Sequence, residues 1–539
     1  MVSRAGVSAQ AGSRPVDRAA AGLARPRLAL ATLSLVLFLT FLDNTVVSVT
    51  LADVQSSLHV GVGALQWVVN GYALVFAAFM LSFGTLGDLL GRKAVMLGGV
   101  VVFCAGSVVA AVAPDSATLI AGRVVMGLGA AASEPGTLSM IRHLYTDRRD
   151  RARALGVWTA VSGLALAFGP VIGGVLVGVW SWRAVFWFNL AFGLVALAGA
   201  SVVLPENSDP GNRRMDVRGS LIGAVSLAAA TFAVIEGETA GYRAARIDAL
   251  FAVAAAGVVA FVLVERRASN PVLDLRCLRR PDFAGANVVA FAAYFATFCI
   301  FFFVSLYLQL VGTTSGYGVA LDFVPMAAAL VIASVFSGRW VAVSGPRMPM
   351  VFGCLATAAG VALTEHYLRA SSDVATIGWT LALAGIGIGT AMVPATSTPL
   401  SVVPPEHSGM AASATNTSRE LGGVAGVAIL GSIVNGKLVV DLVHELARQG
   451  FPRAIRDQVV AAVTTGNISQ QAAAYSHLPN KAVQTLVARL EALADGAFRS
   501  GLNLSLWIAC ALMVTGAVVA LLTVRTGRPA PALDREPIA

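Results

Sequence analysis

The stretch that decides the fold is residues 84–93, which read Gly84-Thr85-Leu86-Gly87-Asp88-Leu89-Leu90-Gly91-Arg92-Lys93. It is a glycine-rich, charged turn between two apolar segments, each as long as the roughly 20 residues that a membrane-spanning helix needs. Charged side chains interrupt a membrane domain only at a cost in free energy. The turn and its flanks therefore predict a polytopic membrane transporter.

The composition extends this prediction to the whole chain. Of 539 residues, 57% are hydrophobic and only 12% are charged, and the mean hydropathy is +0.76. Soluble domains carry roughly a quarter charged residues, so this chain cannot cover a water-facing surface, and lipid must be its main solvent. We predict an all-α polytopic membrane protein with about fourteen spanning helices.

The net charge of +9 could indicate nucleic-acid binding. The arginines, however, lie in short loops between apolar segments, where positive charge marks the cytoplasmic side of a membrane protein. We therefore expect no nucleic-acid partner, and a multi-pass membrane protein with both termini in the cytoplasm. Lysine occurs only at Lys93, Lys437 and Lys481, whereas arginine, alanine, glycine and valine are abundant. This bias is typical of a high-GC bacterial gene, so we expect the bacterial inner (plasma) membrane. The five cysteines show neither CxxC nor metal-ligand spacing and are expected to be small buried hydrophobes.

A weak internal repeat divides the chain into halves. Gly338-Arg339 and Gly345-Pro346-Arg347 repeat the spacing of the first turn, although Ala342 stands where the first copy has Asp88. Repeated bundles are typical of secondary transporters. We predict two six-helix bundles with two spacer helices inserted between them.

The predicted domains follow from this division. They are a disordered cytoplasmic tail (1–27), an N-terminal bundle (28–204), two spacer helices with linkers (205–282), a C-terminal bundle (283–436 and 499–524), an extracellular helical loop (437–498) and a cytoplasmic tail (525–539).

Five further stretches have the character of motifs. They are Leu42-Asp43-Asn44-Thr45-Val46-Val47-Ser48-Val49, Arg123 with Gly127-Leu128-Gly129-Ala130, Gly169-Pro170-Val171-Ile172-Gly173-Gly174, Trp182-Arg183-Ala184-Val185-Phe186-Trp187-Phe188-Asn189, and Asn416-Thr417-Ser418-Arg419-Glu420-Leu421-Gly422-Gly423. With residues 84–93 and in this order, they resemble the fourteen-helix drug:proton antiporters of the major facilitator superfamily (EmrB/QacA type). The resemblance spans roughly 30–435 and 499–524. The chain departs from the family pattern at Ser48, Ala52, Ala165, Ala191 and Glu420.

The resemblance implies a major facilitator fold and proton-driven efflux of an amphipathic small molecule, a drug or antibiotic, by alternating-access antiport. It implies lipid, protons and a small-molecule substrate as partners. We expect the proton gradient rather than a cofactor, no metal, and a monomer.

Three ionisable residues inside apolar helices are candidates for proton coupling or substrate binding. Asp43 lies well inside the first helix, and an intramembrane carboxylate is by default a functional hypothesis. The alternative is a structural hydrogen bond to a neighbour such as Thr45. Arg123 cannot lose its proton and resembles the family arginine that assists proton transfer, or else it is a fixed structural cation.

Glu134 precedes Pro135, which frees a backbone carbonyl in the helix. Glu134 could pair with Arg123, attract a cationic substrate, or be held neutral by hydrogen bonds. Eleven residues put it on the same helix face as Arg123 but about 16 Å away, too far for a direct salt bridge.

Other residues are expected to gate the transporter or to pack its helices. The gating set is Gly84, Asp88, Gly91, Arg92, Lys93, Arg419 and Glu420. We expect Asp88 to meet the start of helix thirteen near Ser408, and Arg419 to pair with Glu420. The antiporter-like set, Gly169, Pro170, Gly173 and Gly174, predicts a groove for close helix approach. Glu236, Glu238 and Asp322 are expected near helix ends, within reach of water.

Two other function classes are weighed. A proton-coupled nutrient importer would share much of this sequence, but the antiporter-like stretch argues against it. A membrane enzyme or receptor is the third possibility. The sequence has no phosphate loop of the GxxxxGK[ST] type, no HExxH and no nucleophile elbow. We therefore predict a secondary active transporter, not an enzyme.

Overall fold

The computed structural model describes residues 26–145, 148–206, 217–268, 276–310, 315–370, 374–403, 408–450, 452–453, 456–457, 459–460 and 481–525. The predicted tails 1–27 and 525–539 lie almost wholly outside the described residues, and so does the middle of the predicted loop 437–498.

Fourteen long helices make up the described part of the chain, which contains no strand. In chain order they are α1 (Pro26–Leu58), α2 (Val62–Leu90), α3 (Arg92–Ala111), α4 (Ser116–Leu144), α5 (Arg148–Val179), α6 (Arg183–Val203), α7 (Val217–Ala240), α8 (Ala245–Arg267), α9 (Pro281–Gln309), α10 (Gly316–Ser344), α11 (Arg347–Ala370), α12 (Val374–Val402), α13 (Ser408–Arg448) and α14 (Lys481–Thr523).

The prediction of an all-α membrane protein is confirmed. Within the described residues, thirteen helices are long and apolar enough to span a membrane, and α7 contains a shorter apolar helix, Leu221–Gly237. A 3-10 turn, Val47–Thr50, interrupts α1, and a π-helical turn, Ile300–Val304, interrupts α9. Both interruptions lie in buried segments that pack at the junction of the two halves.

The internal repeat is visible in the backbone. Gly91 ends α2 with φ +110°, and Gly345, its counterpart in the repeat, ends α10 with φ +79°. Glycine adopts this left-handed region without the steric penalty of a side chain. Two matched helix pairs are also closely packed through glycine: Gly129 of α4 lies against the α3 backbone, and Gly387 of α12 lies against the α11 backbone.

The two halves meet along two helix pairs, α2 with α13 and α5 with α10. Helix α7 packs against both α2 and α13, and α8 packs against α7. The first spacer helix therefore lies against helices of both bundles rather than standing apart from them.

Helices α13 and α14 are longer than a bilayer requires. The 41 residues of α13 and the 43 of α14 each extend about 60 Å at 1.5 Å per residue, twice the roughly 30 Å of hydrocarbon. Leu438, Leu442 and Leu446 of α13 are buried, as is Phe498 of α14, which stacks on Tyr307 with 6.3 Å between ring centroids. Both ends of the predicted loop 437–498 thus continue the flanking helices.

Candidate functional site

A buried ion pair lies at the centre of the N-terminal bundle. The Arg123 guanidinium of α4 donates to Asp43 Oδ2 of α1, and both side chains are fully buried. Because a buried charge is tolerated only when it is paired and hydrogen-bonded, each group explains the presence of the other. The two residues that the sequence singled out separately are thus brought together, 80 residues apart in the chain.

Two neighbouring side chains, Tyr72 and Asn189, complete this group, which we call the ion-pair cluster (Asp43, Tyr72, Arg123 and Asn189). Asn189 Nδ2 of α6 donates to Asp43 Oδ1 at 2.6 Å, so both carboxylate oxygens have a donor. Arg123 Nε donates to the Val68 carbonyl oxygen at 2.8 Å, and the guanidinium lies 4.5 Å from the Tyr72 ring centroid. Such a cation–π contact adds to the stabilisation of a desolvated arginine.

A second polar group joins α4 to α13 across the junction of the two halves. Asn416 Nδ2 donates to Glu134 Oε1 at 3.0 Å, and Asn416 Oδ1 accepts from Arg419 at 2.9 Å. Arg419 also donates to the Tyr294 hydroxyl of α9. The asparagine therefore connects an acidic and a basic residue that do not bond to each other directly.

Glu420, next to Arg419 in sequence, makes a separate connection between the halves. Asn44 Nδ2 of α1 donates to both carboxylate oxygens of Glu420, at 3.2 and 3.1 Å. We call Asn44, Glu134, Asn416, Arg419 and Glu420 the bridging cluster.

The side chains of the bridging cluster are nearly or fully buried. One expected pairing, Arg419 with Glu420, is replaced in this structure, and the direct Glu134–Arg123 salt bridge, which the helix spacing excluded, is not formed. Arg419 and Glu420 bond to different partners, and Glu134 bonds to Asn416 rather than to Arg123.

The antiporter-like glycines hold α5 against α1 beside these clusters. A Cβ on Gly169 would lie 1.9 Å from Thr45 Oγ1, and one on Gly173 would lie 2.6 Å from the Val46 carbonyl oxygen. Pro170 and Gly174 are buried in the same helix. Only glycine permits this approach, one turn of helix from Asp43.

The turn at residues 84–93 is fixed within its own bundle. Lys93 Nζ donates to the Ser201 and Leu204 carbonyl oxygens at the end of α6, at 2.7 and 2.6 Å. The Lys93 backbone N–H donates to Glu206 Oε1 at 3.2 Å, and a Cβ on Gly91 would come within 2.6 Å of the same oxygen.

The remaining gating residues of this turn are only partly described. Gly84 lies against α4, where its Cβ would be 3.4 Å from the Pro135 Cβ atom, and Arg92 is half-buried. The side chains of Asp88 and Ser408 lie outside the described residues, so their expected contact stays a prediction.

Sequence reasoning missed the amides. Asn44, Asn189 and Asn416 had been quoted only as parts of motifs, although an amide inside an apolar helix is a usable signal of a buried polar contact.

Asp322 lies near the start of α10, as expected, but it is 1% exposed and therefore not within reach of water. Its helix begins at Gly316, so it lies nearly two turns inside, and its Oδ1 has no hydrogen-bond partner among the described residues.

The two clusters together can hold and exchange charge. They contain three carboxylates and two guanidinium groups, and the guanidinium groups stay charged at any accessible pH. One proton, or one cationic group of a bound molecule, therefore balances them. In the described part of the chain, no group of histidine, cysteine and acidic residues could hold a metal ion.

Comparisons with known proteins identify relatives that match most of the chain. The sequence profile described as "Major Facilitator Superfamily" matches residues 33–427. "Multidrug resistance protein Stp" of Mycobacterium tuberculosis is 32% identical over 486 residues, 90% of each chain. "Tetracenomycin C resistance and export protein" of Streptomyces glaucescens is 28% identical over 500 residues, covering 93% of this chain and 92% of the relative.

Solved structures show the same fold at low identity. A bacterial homolog of the human lysosomal transporter Spinster, in an inward-facing and unoccupied conformation, superposes with a TM-score of 0.58 at 15% sequence identity. The match covers 96% of this chain and all of that one.

Proposed function

Because the chain belongs to the Major Facilitator Superfamily, we propose that it exports amphipathic small molecules, drugs or antibiotics, in exchange for protons. The relatives named for multidrug resistance and for tetracenomycin C export support efflux as the direction. The proposal places the protein in the bacterial plasma membrane with both termini in the cytoplasm. A monomer driven by the proton gradient, without a cofactor, is sufficient for this activity.

The observation that carries the proposal is the bridging cluster. Glu134 and Glu420 each bond to an amide on the other half of the protein, through Asn416 and Asn44. A carboxylate that accepts hydrogen bonds is held more strongly when it is ionised than when it is neutral. Protonation of either glutamate would therefore weaken a connection between the two halves.

This dependence supplies a route from proton binding to movement. A ligand shifts a conformational equilibrium only by its different affinity for the two states. A proton on Glu134 or Glu420 favours the state in which the α1–α13 and α4–α13 contacts are separated. A substrate that takes the place of the proton favours the other state, and the bundles then tilt around a central site, as repeat-built transporters do.

The ion-pair cluster has a different part in this scheme. Asp43 has a donor on each oxygen, and one of these donors is a permanent cation. Asp43 and Arg123 therefore fix the charge and position of α1, from which Asn44 reaches Glu420. Asp43 stays in the proposed proton-coupling set because it is the carboxylate of the ion-pair cluster and directly precedes Asn44, the residue that bonds to Glu420.

The test is transport in proteoliposomes with an imposed pH gradient. We expect tetracenomycin C or a cationic dye to accumulate against its gradient with the native protein, and Glu134→Gln or Glu420→Gln to abolish the accumulation while downhill exchange continues. Asp43→Asn is measured beside them. The matched control is Asp115→Asn, a carboxylate outside the spanning helices, which should transport normally.

Two results would refute the proposal. Transport that continues at the same rate after the pH difference collapses, with no other ion replacing it, would exclude proton coupling. Full coupled activity in the Glu134, Glu420 and Asp43 variants would remove the residue assignment.

A nutrient importer is the alternative, and cells can discriminate between the two. Cells lacking the gene should accumulate more drug and become more sensitive if the protein exports. Unchanged drug accumulation with a lost nutrient uptake would favour import instead.

A further inference from the structure

Asn70 is a buried amide that belongs to neither cluster. Asn70 of α2 is fully buried, and neither its Oδ1 nor its Nδ2 has a hydrogen-bond partner among the described residues. Leaving both ends of a buried amide unpaired is unfavourable, and such a group in a native structure calls for an explanation.

The position of Asn70 follows from its neighbours on α2. Gln66 lies against α13, because its Nε2 is 2.0 Å from the position of a Cβ on Gly431. Trp67 lies against α7, with 5.4 Å between its ring centroid and that of Phe232. At 100° per residue, Asn70 points between these two directions. It therefore faces the line where α2, α7 and α13 meet, which we call the three-helix seam.

Gln66 adds a second unpaired atom to the seam. Its Oε1 has no hydrogen-bond partner in the described part of the chain, and its side chain is 1% exposed. Gln66 and Asn70 are four residues apart and therefore lie on nearly the same face of α2. Together they present three unpaired amide atoms, two acceptors and one donor.

The seam lies between the two halves of the protein. Helix α2 belongs to the first bundle and α13 to the second, while the spacer helix α7 covers both. The Tyr242 hydroxyl, just beyond α7, contacts the Ser432 hydroxyl of α13 and closes one end. Separation of α2 from α13 during transport would open this line and expose the amides.

We infer that Asn70 and Gln66 form a substrate subsite for an uncharged group with adjacent hydrogen-bond donor and acceptor, such as a hydroxyl beside a ketone. The chemistry follows from the amides: a primary amide pairs with a group that both donates and accepts, and it carries no charge to attract an ion. The inference rests on the proposed function and names a substrate class for it, neutral hydroxylated or amide-bearing compounds.

The test compares two probes in proteoliposomes with a pH gradient. Tetracenomycin C is an uncharged polyketide with adjacent hydroxyl and ketone groups, and tetraphenylphosphonium is a cation with no donor or acceptor. We expect Asn70→Leu to lower tetracenomycin C transport about tenfold, the effect of one lost hydrogen bond. Tetraphenylphosphonium transport should stay within about twofold, since that ion makes no hydrogen bond to lose.

Thermal unfolding separates a binding role from a structural one. Asn70→Leu should melt at the same or a higher temperature than the native protein, because it removes an unpaired buried polar group. The matched control is Asn287→Leu in α9, whose Nδ2 donates to the Phe283 carbonyl oxygen at 2.8 Å. That variant should lose stability but keep the ratio of the two transport rates.

The other outcomes count against the inference. If Asn70→Leu lowers the transport of both probes equally, or of neither, the inference is overturned while the proposed function stands. Transport of tetraphenylphosphonium alone by the native protein would also overturn it. If the native protein moves neither probe, the proposed function fails and the subsite fails with it.

Discussion

The ion-pair cluster and the bridging cluster hold the same kinds of residue in opposite ways. In the first, Asp43 and Arg123 neutralise each other inside one bundle, on α1 and α4. In the second, Glu134 and Glu420 are held by amides that belong to the other half of the protein. The first is closed on itself, whereas the second exists only while the halves are together.

This difference indicates which carboxylates can couple protonation to movement. Breaking a buried ion pair leaves an uncompensated charge in a medium that cannot solvate it, so such a pair favours one structure. A carboxylate held by an amide can change its proton without stranding an opposite charge. The comparison thus predicts stability effects from the ion-pair cluster and transport effects from the bridging cluster.

The largest expected change in stability comes from breaking the ion pair. Asp43→Asn leaves Arg123 buried beside a neutral group, and we expect the free energy of unfolding to fall by about 3–5 kcal/mol. Denaturant unfolding in detergent micelles measures it. The double variant Asp43→Asn/Arg123→Gln should recover most of the lost free energy of unfolding, because it leaves no uncompensated buried charge. A single variant as stable as the native protein would contradict the structural role of the pair.

A smaller loss of stability is expected when one hydrogen-bonded connection between the halves is removed. Asn44→Leu removes the donor to Glu420, a hydrogen bond to a charged group worth about 1.5–3 kcal/mol. The rate of proton-driven exchange should fall by a larger fraction than the free energy of unfolding, because the two halves lose a proton-sensitive contact. Exchange and unfolding are measured on the same preparation, with Asn287→Leu as the amide control. Unchanged exchange would show that this bridge does not transmit protonation.

Packing of α5 on α1 supports both clusters and can be tested by one methyl group. Gly169→Ala places a Cβ on Thr45, and overpacking of this kind destabilises by about 1–3 kcal/mol. Gly163→Ala in the same helix is the matched control, because its nearest neighbour, a Leu330 methyl carbon, is 3.8 Å away. The melting temperature should fall for the first variant only; equal values would argue that α5 can move freely along α1.

The smallest expected effect on stability comes from Asp115, a carboxylate outside the membrane-spanning helices. Asp115 caps α4 by accepting from the Thr118 backbone N–H at 2.8 Å, and these hydrogen bonds lower the pKa of its carboxyl. With the folded pKa below the unfolded value, its stabilisation is present above the unfolded pKa and is lost as pH falls through the folded one.

The measurement is the melting temperature across that range of pH. Asp115→Ala should melt below the native protein at neutral pH, and the gap should close as acid protonates Asp115. Asp115→Asn, which keeps an N-cap acceptor, should show a smaller gap at neutral pH. A gap that persists after acidification would mean that the ionised cap is not its source.

The helices and the repeat were predictable because their signals are local. A run of about 20 apolar residues reports a span by itself, and the spacing that relates Gly91 to Gly345 could be seen in the sequence. The same holds for Asp43 and Arg123, which are conspicuous because ionisable groups are rare in hydrocarbon.

The partners of these residues could not be predicted in the same way. Asn189 is 146 residues from Asp43, and Asn416 is 282 residues from Glu134. Such contacts depend on how helices cross, which periodicity does not encode. The burial of Asp322 was missed for a related reason, since it depends on which helices pack around that residue.

The length of α13 has a practical consequence for watching the protein at work. From Glu420 to Arg448 the helix runs about 42 Å at 1.5 Å per residue, so a 10° tilt about the bridge would displace its tip by about 7 Å. Four of the five native thiols are buried, and the Arg448 side chain is 72% exposed. The fluorescence of a dye attached to Arg448→Cys should therefore change with each transport cycle. A signal that stays constant during turnover would mean that α13 does not tilt.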